Sequence, residues 1–316
     1  MILVTGGLGF IGSHTVRALL DRGEDCVLVQ RRKAEVPAFL DAAHVTVEQG
    51  DITDLTALLD IGTRHKITGI VHLATGSMPW PPSSDQPVEA ARKALGGLFN
   101  VLQAAREWGV RRVGVASTIG VYGGVADEGP LSEDLPLPMR SFHVIPTFKK
   151  IGELLNDHLA DATGIEVVNY RISGVWGPRD PHGALFFAAP ELVQAAARGT
   201  EPDLSTLPGP AYAEDALDLC YAKDTGRAIA LLQLSEHLNH RTYNVASGRA
   251  TSNAEIIAAI KKVVPDARVD LPTGGSGRRS YLDITRIRQD TGYRPEYDVE
   301  RAVAEYIDWL RAGHTC

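Results

Sequence analysis

The chain has 316 residues, more than one hydrophobic core usually serves, so a large domain plus a smaller one is expected. With 44% hydrophobic and 22% charged residues it reads as globular, and a formal net charge of −7 argues against non-specific nucleic-acid binding, which needs clustered positive charge. No apolar stretch reaches the ~20 residues that span a bilayer, a glycine turn at residue 6 leaves no room for a leader in this sequence, and Cys26, Cys220 and Cys316 have no metal-binding spacing, which suits reduced thiols in a cytoplasmic setting.

The first element is an apolar run, Ile2 to Val4, read as a buried strand. Gly6, Gly7, Gly9 and Gly12 follow, and Ser13 to Arg22 reads as a helix stopped by Gly23. Strand, glycine turn and helix in this order place a dinucleotide pyrophosphate on a helix N-terminus. Gly6 permits the tight turn, Gly9 lets backbone approach phosphate, and Gly12 lets helix pack on strand. The spacing is G-x-x-G-x-x-G, with Phe10 and Ile11 supplying amides next to the phosphates.

Cys26 to Gln30 is the second strand, and Glu35 to Ala43 is expected to be helical after Pro37. Val45 to Val47 is the third strand, ending in Gly50-Asp51-Ile52-Thr53, with Thr53 as N-cap of the next helix. Gly69 to Ala74 is the fourth strand. A Pro- and Ser-rich loop, 75–87, carries Met78 and Trp80, and a long helix runs from Val88 to Trp108. Val113 to Ala116 and Val167 to Ile172 are the fifth and sixth strands. Short apolar strands alternating with helices predict an α/β fold: a doubly wound parallel sheet covered on both faces. After Gly177-Pro178 the alternation weakens. A helix at Ala188 to Arg198, a helix at Thr225 to Ser235, a strand at Tyr243 to Val245 and helices at Ser252 to Val264 and Val299 to Arg311 follow. The expected division is 1–176 plus 212–246 for a dinucleotide-binding Rossmann domain, and 177–211 plus 247–316 for a smaller, discontinuous substrate-binding domain closing the crevice.

The residue ending the second strand decides the ribose contact. Gln30 is neutral, and Arg31 and Arg32 follow it. A guanidinium pairs bidentately with a 2′-phosphate, and a missing acid removes repulsion, so NADP is favoured, with NAD the alternative. A solvated basic turn is the plainer reading of the two arginines. Asp51 and Ile52 are placed against the adenine, although Asp51 fits a turn equally well; Leu73 and Ala74 complete the expected cofactor set.

The motifs, taken together, resemble the extended short-chain dehydrogenase/reductases of the NAD-dependent epimerase/dehydratase type. They are TGGLGFIG at 5–12, Gly50-Asp51-Ile52, His72-Leu73-Ala74, Ser117-Thr118 with Val121-Tyr122-Gly123, Lys149 with Glu153, Arg171 through Gly177-Pro178-Arg179, Tyr243-Asn244-Val245, and Asp283 with 292–295. They span nearly the whole chain in the family's order. The resemblance implies a catalytic Ser/Thr at Thr118 and a ribose-binding Lys at Lys149, the Lys registered by Glu153; Lys150 is the other register. It also implies a tyrosine acid/base four residues before that Lys. Ile145 stands there, and no tyrosine lies between Tyr122 and Tyr170. An isoleucine transfers no proton, so a non-standard donor is expected. His143 is the first candidate, since its ordinary pKa suits neutral pH. Tyr122, His182 and a partly desolvated Lys149 are the others.

The expected substrate-side residues are Met78, Trp80, Thr118, Trp176 and Arg179, with Phe186, Phe187 and the pair Arg278-Arg279 as weaker suggestions. Three readings of function follow: an NAD(P)-dependent oxidoreductase or sugar-nucleotide-type epimerase acting on a small molecule, an epimerase, dehydratase or lyase that returns its hydride without net redox, and a non-catalytic NADP-binding sensor. No metal, nucleic acid or membrane is expected. The resemblance also implies a homodimer through the long helix and the helix near Phe148, for which Ala90, Ala91, Ala94 and Leu98 offer an apolar face.

Overall fold

The structure is a computed structural model that describes residues 1–32, 35–74, 87–125, 129–141, 143–181, 185–275 and 279–314. In chain order, β1 (Ile2–Thr5), α1 (Phe10–Leu20), β2 (Cys26–Gln30), β3 (Val45–Gln49), α2 (Leu55–Arg64), β4 (Gly69–His72), α3 (Pro87–Trp108) and β5 (Arg112–Thr118) build the first half. They are followed by β6 (Pro130–Leu131), α4 (Val144–Thr163), β7 (Glu166–Ile172), β8 (Gly174–Trp176), α5 (Ala189–Arg198), β9 (Ala216–Tyr221) and α6 (Ala222–Leu234). The chain ends with β10 (Thr242–Val245), β11 (Ala250–Ser252), α7 (Asn253–Val263), β12 (Tyr281–Leu282), α8 (Thr285–Thr291) and α9 (Val299–Arg311).

Seven strands form one parallel sheet in the order β10-β7-β5-β4-β1-β2-β3. The four residues of β1 and of β4 are all buried, as both-face coverage by helices requires. One apolar core, with Val16, Leu19, Leu28, Tyr170 and Ile229, lies under α1 and α6; a second, with Leu3, Ile61, Val101 and Val113, lies under α2 and α3. The strand order reverses between β1 and β4, so the crevice at their carboxyl ends is where the fold receives a ligand.

A third core gathers Trp176, Leu192, Tyr221, Ile256, Val303 and Tyr306 beneath α5, α7 and α9. It includes the three-stranded sheet β11-β9-β8. β8 and β9 therefore belong with this C-terminal lobe, not with the large sheet to which the expected boundaries of 176 and 212 assigned them. β9 escaped sequence reading because Asp218 interrupts its apolar run. That carboxylate is fully buried and accepts from the amides of Ser247, Gly248 and Leu282 and from Ser247 Oγ, which offsets the cost of burying it.

Two local expectations are corrected. The 35–43 segment, where described, forms no α-helix; a single 3₁₀ turn, Ala42–His44, is capped by Asp41. Pro37 holds the residue before it in extended conformation and leaves too few residues for a helix. At α2, Asp54 rather than Thr53 is the N-cap, accepting from Ala57 N at 3.0 Å. Thr53 instead donates its hydroxyl to Asp51 at 2.8 Å. Among the described residues, no helix is long and apolar enough to cross a membrane, and no cluster of His, Cys, Asp and Glu could hold a metal ion.

Candidate active site

The glycine turn leaves β1 at the point where the strand order reverses. Gly6 has φ 72, and a Cβ on it would lie 3.1 Å from Ala74 N, so the turns after β1 and β4 touch backbone to backbone. A Cβ on Gly12 would lie 2.0 Å from Gly6 O, which no side chain permits. Gly9 is the exposed N-cap of α1 and supplies no capping side chain, and the first turn carries no acid. The amides of Phe10, Ile11 and Gly12 thus point outward with the positive end of the helix dipole, a cradle that fits a diphosphate. Thr5 Oγ1 lies 2.7 Å from His72 Nδ1 and accepts from Ala74 N, fixing Leu73-Ala74 at the rim.

The reaction side is built by the end of β5 and the start of α4. Thr118 caps the 3₁₀ turn Ile119–Tyr122, accepting from Gly120 N at 3.2 Å and keeping its hydroxyl proton for donation. The first turn of α4 packs on this turn, since a Cβ on Gly120 would meet Pro146 Cβ at 3.4 Å and Thr118 Cγ2 at 3.5 Å. Ile145 stands in that first turn, one helical turn before Lys149. Lys149 turns inward and donates Nζ to Ala116 O at 2.7 Å. It lines a cavity of about 50 Å³ with His72, Ser117, Glu153, Asn156 and Asn169. Burial pushes the Lys149 ammonium down to about 8, against the opposing pull of Glu153.

Beneath these residues lies a buried network. Ser117 Oγ donates to Glu153, and Glu153 forms a 2.7 Å ion pair with Arg171. Arg171 also donates to Tyr122 OH, which in turn donates to Asn244 at 2.9 Å. The Tyr122 hydroxyl is thus held between Arg171 and Asn244 as a strut under the site, and desolvation raises its phenol to about 12.

The sequence pattern of the NAD dependent epimerase/dehydratase family matches residues 2–246. The chain belongs to that family. Its relatives include the UDP-glucose 4-epimerase of Lacticaseibacillus casei, 29% identical over 98% of this chain and 96% of that one. Among solved structures, the UDP-glucose 4-epimerase of Thermotoga maritima with UDP-glucose superposes at TM-score 0.81 with 22% identity, each chain covered to 99%. That of Thermus thermophilus in complex with NAD superposes at 0.77 with 24% identity and the same coverage. The Rossmann sheet and the enzyme class read from the motifs both stand.

The remaining candidates of this epimerase/dehydratase chain fall as follows. Gln30 ends β2, and its Nε2 is buried with no hydrogen-bond partner among the described residues; Arg31 and Arg32 follow, exposed. Asp51 accepts from Thr53 N and Oγ1, which lowers its pKa and makes it a turn residue. Ile52 packs against α3 at Gly97, where a Cβ would come within 2.9 Å of it. His143 is the N-cap of α4, accepting from Ile145 N through Nδ1 at 3.1 Å. A base takes its proton on the imidazole lone pair, and the cap already occupies that lone pair, so the geometry counts against His143 as the acid/base. Trp176 is a correction: at 2% exposure, edge-on to Tyr221 and Tyr306, it is core of the C-terminal lobe and not wall of the crevice. Arg179 lies against the glycine turn, donating to Leu8 O at 3.3 Å. Met78, Trp80, His182 and Arg278 lie outside the described residues. Sequence reading missed His14, which donates Nε2–H to Pro178 O at 2.9 Å and ties α1 to the loop leaving β8. It also missed Asn156 and Asn169 in the cavity. A His on a helix and two amides carry no signal of their tertiary partners.

Proposed function

We propose that this enzyme acts on a sugar-nucleotide-type substrate, interconverting carbinol and carbonyl at one ring carbon without net redox, and that Lys149 carries the proton. A nicotinamide, when bound, would supply the hydride chemistry. Thr118 donates a hydrogen bond to the substrate oxygen. Neutral Lys149 takes the hydroxyl proton as the carbinol becomes carbonyl, and the ammonium returns it as the carbonyl becomes carbinol. The observation that carries this reading is the inward-turned Lys149 amine, desolvated to a pKa of about 8 at a site whose usual phenol position holds Ile145. Similarity to curated UDP-glucose 4-epimerases along 98% of the chain supports the substrate class. The test is epimer formation from UDP-glucose, followed by NMR across pH. kcat/KM in the oxidising direction is expected to rise tenfold per pH unit below about pH 8 and to level off above it. Lys149→Met should abolish turnover while dinucleotide still binds, weakened only by loss of the ribose contact that the resemblance gives to Lys149. A pH-independent rate, or turnover surviving in Lys149→Met, would overturn the assignment.

For the cofactor, the end of β2 favours NADP over NAD: no carboxylate stands at Gln30, and Arg31 and Arg32 adjoin it. The NAD in the Thermus thermophilus relative supports the alternative. The proposed assembly is a homodimer through α3 and α4.

A further inference from the structure

Arg179 is the only residue other than glycine with a positive φ among the described residues, at 70. A side chain in that conformation persists only where its surroundings impose it, and such positions gather at ligand clamps and active sites. Its surroundings here are specific. The guanidinium donates Nη2 to Leu8 O and lies 5.4 Å over the ring of Phe39. Leu8 belongs to the half of the glycine turn that abuts β2, since a Cβ on neighbouring Gly7 would lie 2.7 Å from Leu28 Cδ2. Phe39 belongs to the segment that leaves β2, and its carbonyl accepts from Arg17 of α1 at 3.1 Å. Arg179 therefore sits between the glycine turn and the chain beyond Gln30. In this fold the glycine turn and the residue that ends β2 bound the adenosine ribose; Arg179 adjoins the first directly, and Phe39, nine residues beyond Gln30, is held on α1 at Arg17 and His14. The bond from His14 to Pro178 O holds the preceding residue in the same place.

We propose that Arg179 binds the cofactor's adenosine-ribose end and reads its 2′-phosphate, a third cation beside Arg31 and Arg32 contributed by the loop that enters the C-terminal lobe. The proposal rests on the NADP reading above. It makes selection between the cofactors depend on a residue far along the chain from the strand end that sequence reading inspects. A planar fork on an aromatic face is preorganised for phosphate, and a 2′-hydroxyl offers it far less.

The test uses Arg179→Asn, because asparagine tolerates the left-handed conformation and removes the cation, with Arg179→Lys as the charge-retaining variant. Dissociation constants of NADPH and NADH are measured by fluorescence, and of 2′-AMP and 5′-AMP by calorimetry, on the full chain with its melting temperature recorded. Arg179→Asn is expected to weaken NADPH and 2′-AMP by fivefold or more and to change NADH and 5′-AMP by less than twofold, with Arg179→Lys between. Equal weakening of both cofactors, or no change in either, overturns the assignment while leaving the NADP reading intact. If the wild-type protein gains nothing from the 2′-phosphate, both the assignment and the NADP reading fall.

Discussion

A lysine turned into the protein is costly to keep charged, and Lys149 shows where that cost falls. Its folded pKa of about 8 lies below the ordinary 10.5, so the unfolded chain binds more protons between those values. Stability therefore rises with pH across that window and is lowest below pH 8, where the buried group is charged in the native state. The penalty at neutral pH is on the order of 3 kcal/mol. Lys149→Met is accordingly expected to be more stable than wild type at pH 7, with the difference shrinking toward pH 10.5, as followed by urea denaturation at each pH. A less stable Lys149→Met at pH 7 would mean that water reaches the amine. That a lysine stands one turn before Glu153, and an isoleucine one turn before that lysine, was legible in the sequence. The inward turn to Ala116 O was not, because a side chain's direction depends on the cavity that α3, α4 and the sheet make together. His143 shows the opposite case. Its pKa range made it attractive, and its use as a helix cap became visible only with the backbone in place.

At the scale of elements, the strand–turn–helix unit was readable because Gly9 and Gly12 answer contacts inside the turn itself, both against Gly6 O, whereas Gly6 and Gly7 answer Ala74 and Leu28 farther along the chain. Gly12 is the sharpest of these. In Gly12→Ala the new methyl would lie 2.0 Å from Gly6 O, so the turn must open or α1 must lift off β1. Overpacking of this kind costs roughly 1–3 kcal/mol. It also moves the amides that cradle the diphosphate. Dinucleotide affinity is expected to fall at least a hundredfold while the far-ultraviolet circular dichroism stays near wild type; a Gly12→Ala protein that binds NADPH normally would contradict the cradle. β9 marks the limit of this legibility. Its buried Asp218 reads as a strand breaker, since its partners Ser247, Gly248 and Leu282 lie 29 to 64 residues away. The second lobe as a whole was harder to delimit than the large sheet, because β8 and β11 are only three residues long and show no apolar run, whereas the βα units repeat along the chain.

For the whole molecule the open question of assembly has a physical handle. Ala94 lines the cavity beside Lys149 and Leu98 is 6% exposed, so half of the apolar face expected to join two copies is turned toward the sheet instead. The outer surfaces of α3 and α4, which pack side by side, carry other apolar groups: Val88 and Phe99 on α3, Ile151 and Leu154 on α4. Val88 at 71% and Leu154 at 66% exposure are costly to leave in water. Helices of 22 and 20 residues run about 30 Å each, long enough for a pair of them to bury the ~800 Å² per partner of a stable interface. Lys149 lies on α4, so a dimer joined there would brace the helix that carries the proposed proton carrier against the sheet. Light scattering at micromolar concentration is expected to give twice the chain mass for wild type. In the proposed dimer Leu154→Glu would set two like charges against each other, and it is expected to give the monomer mass with lower turnover in the proposed epimerisation. A wild-type monomer, or a Leu154→Glu dimer, would move the interface elsewhere or remove it.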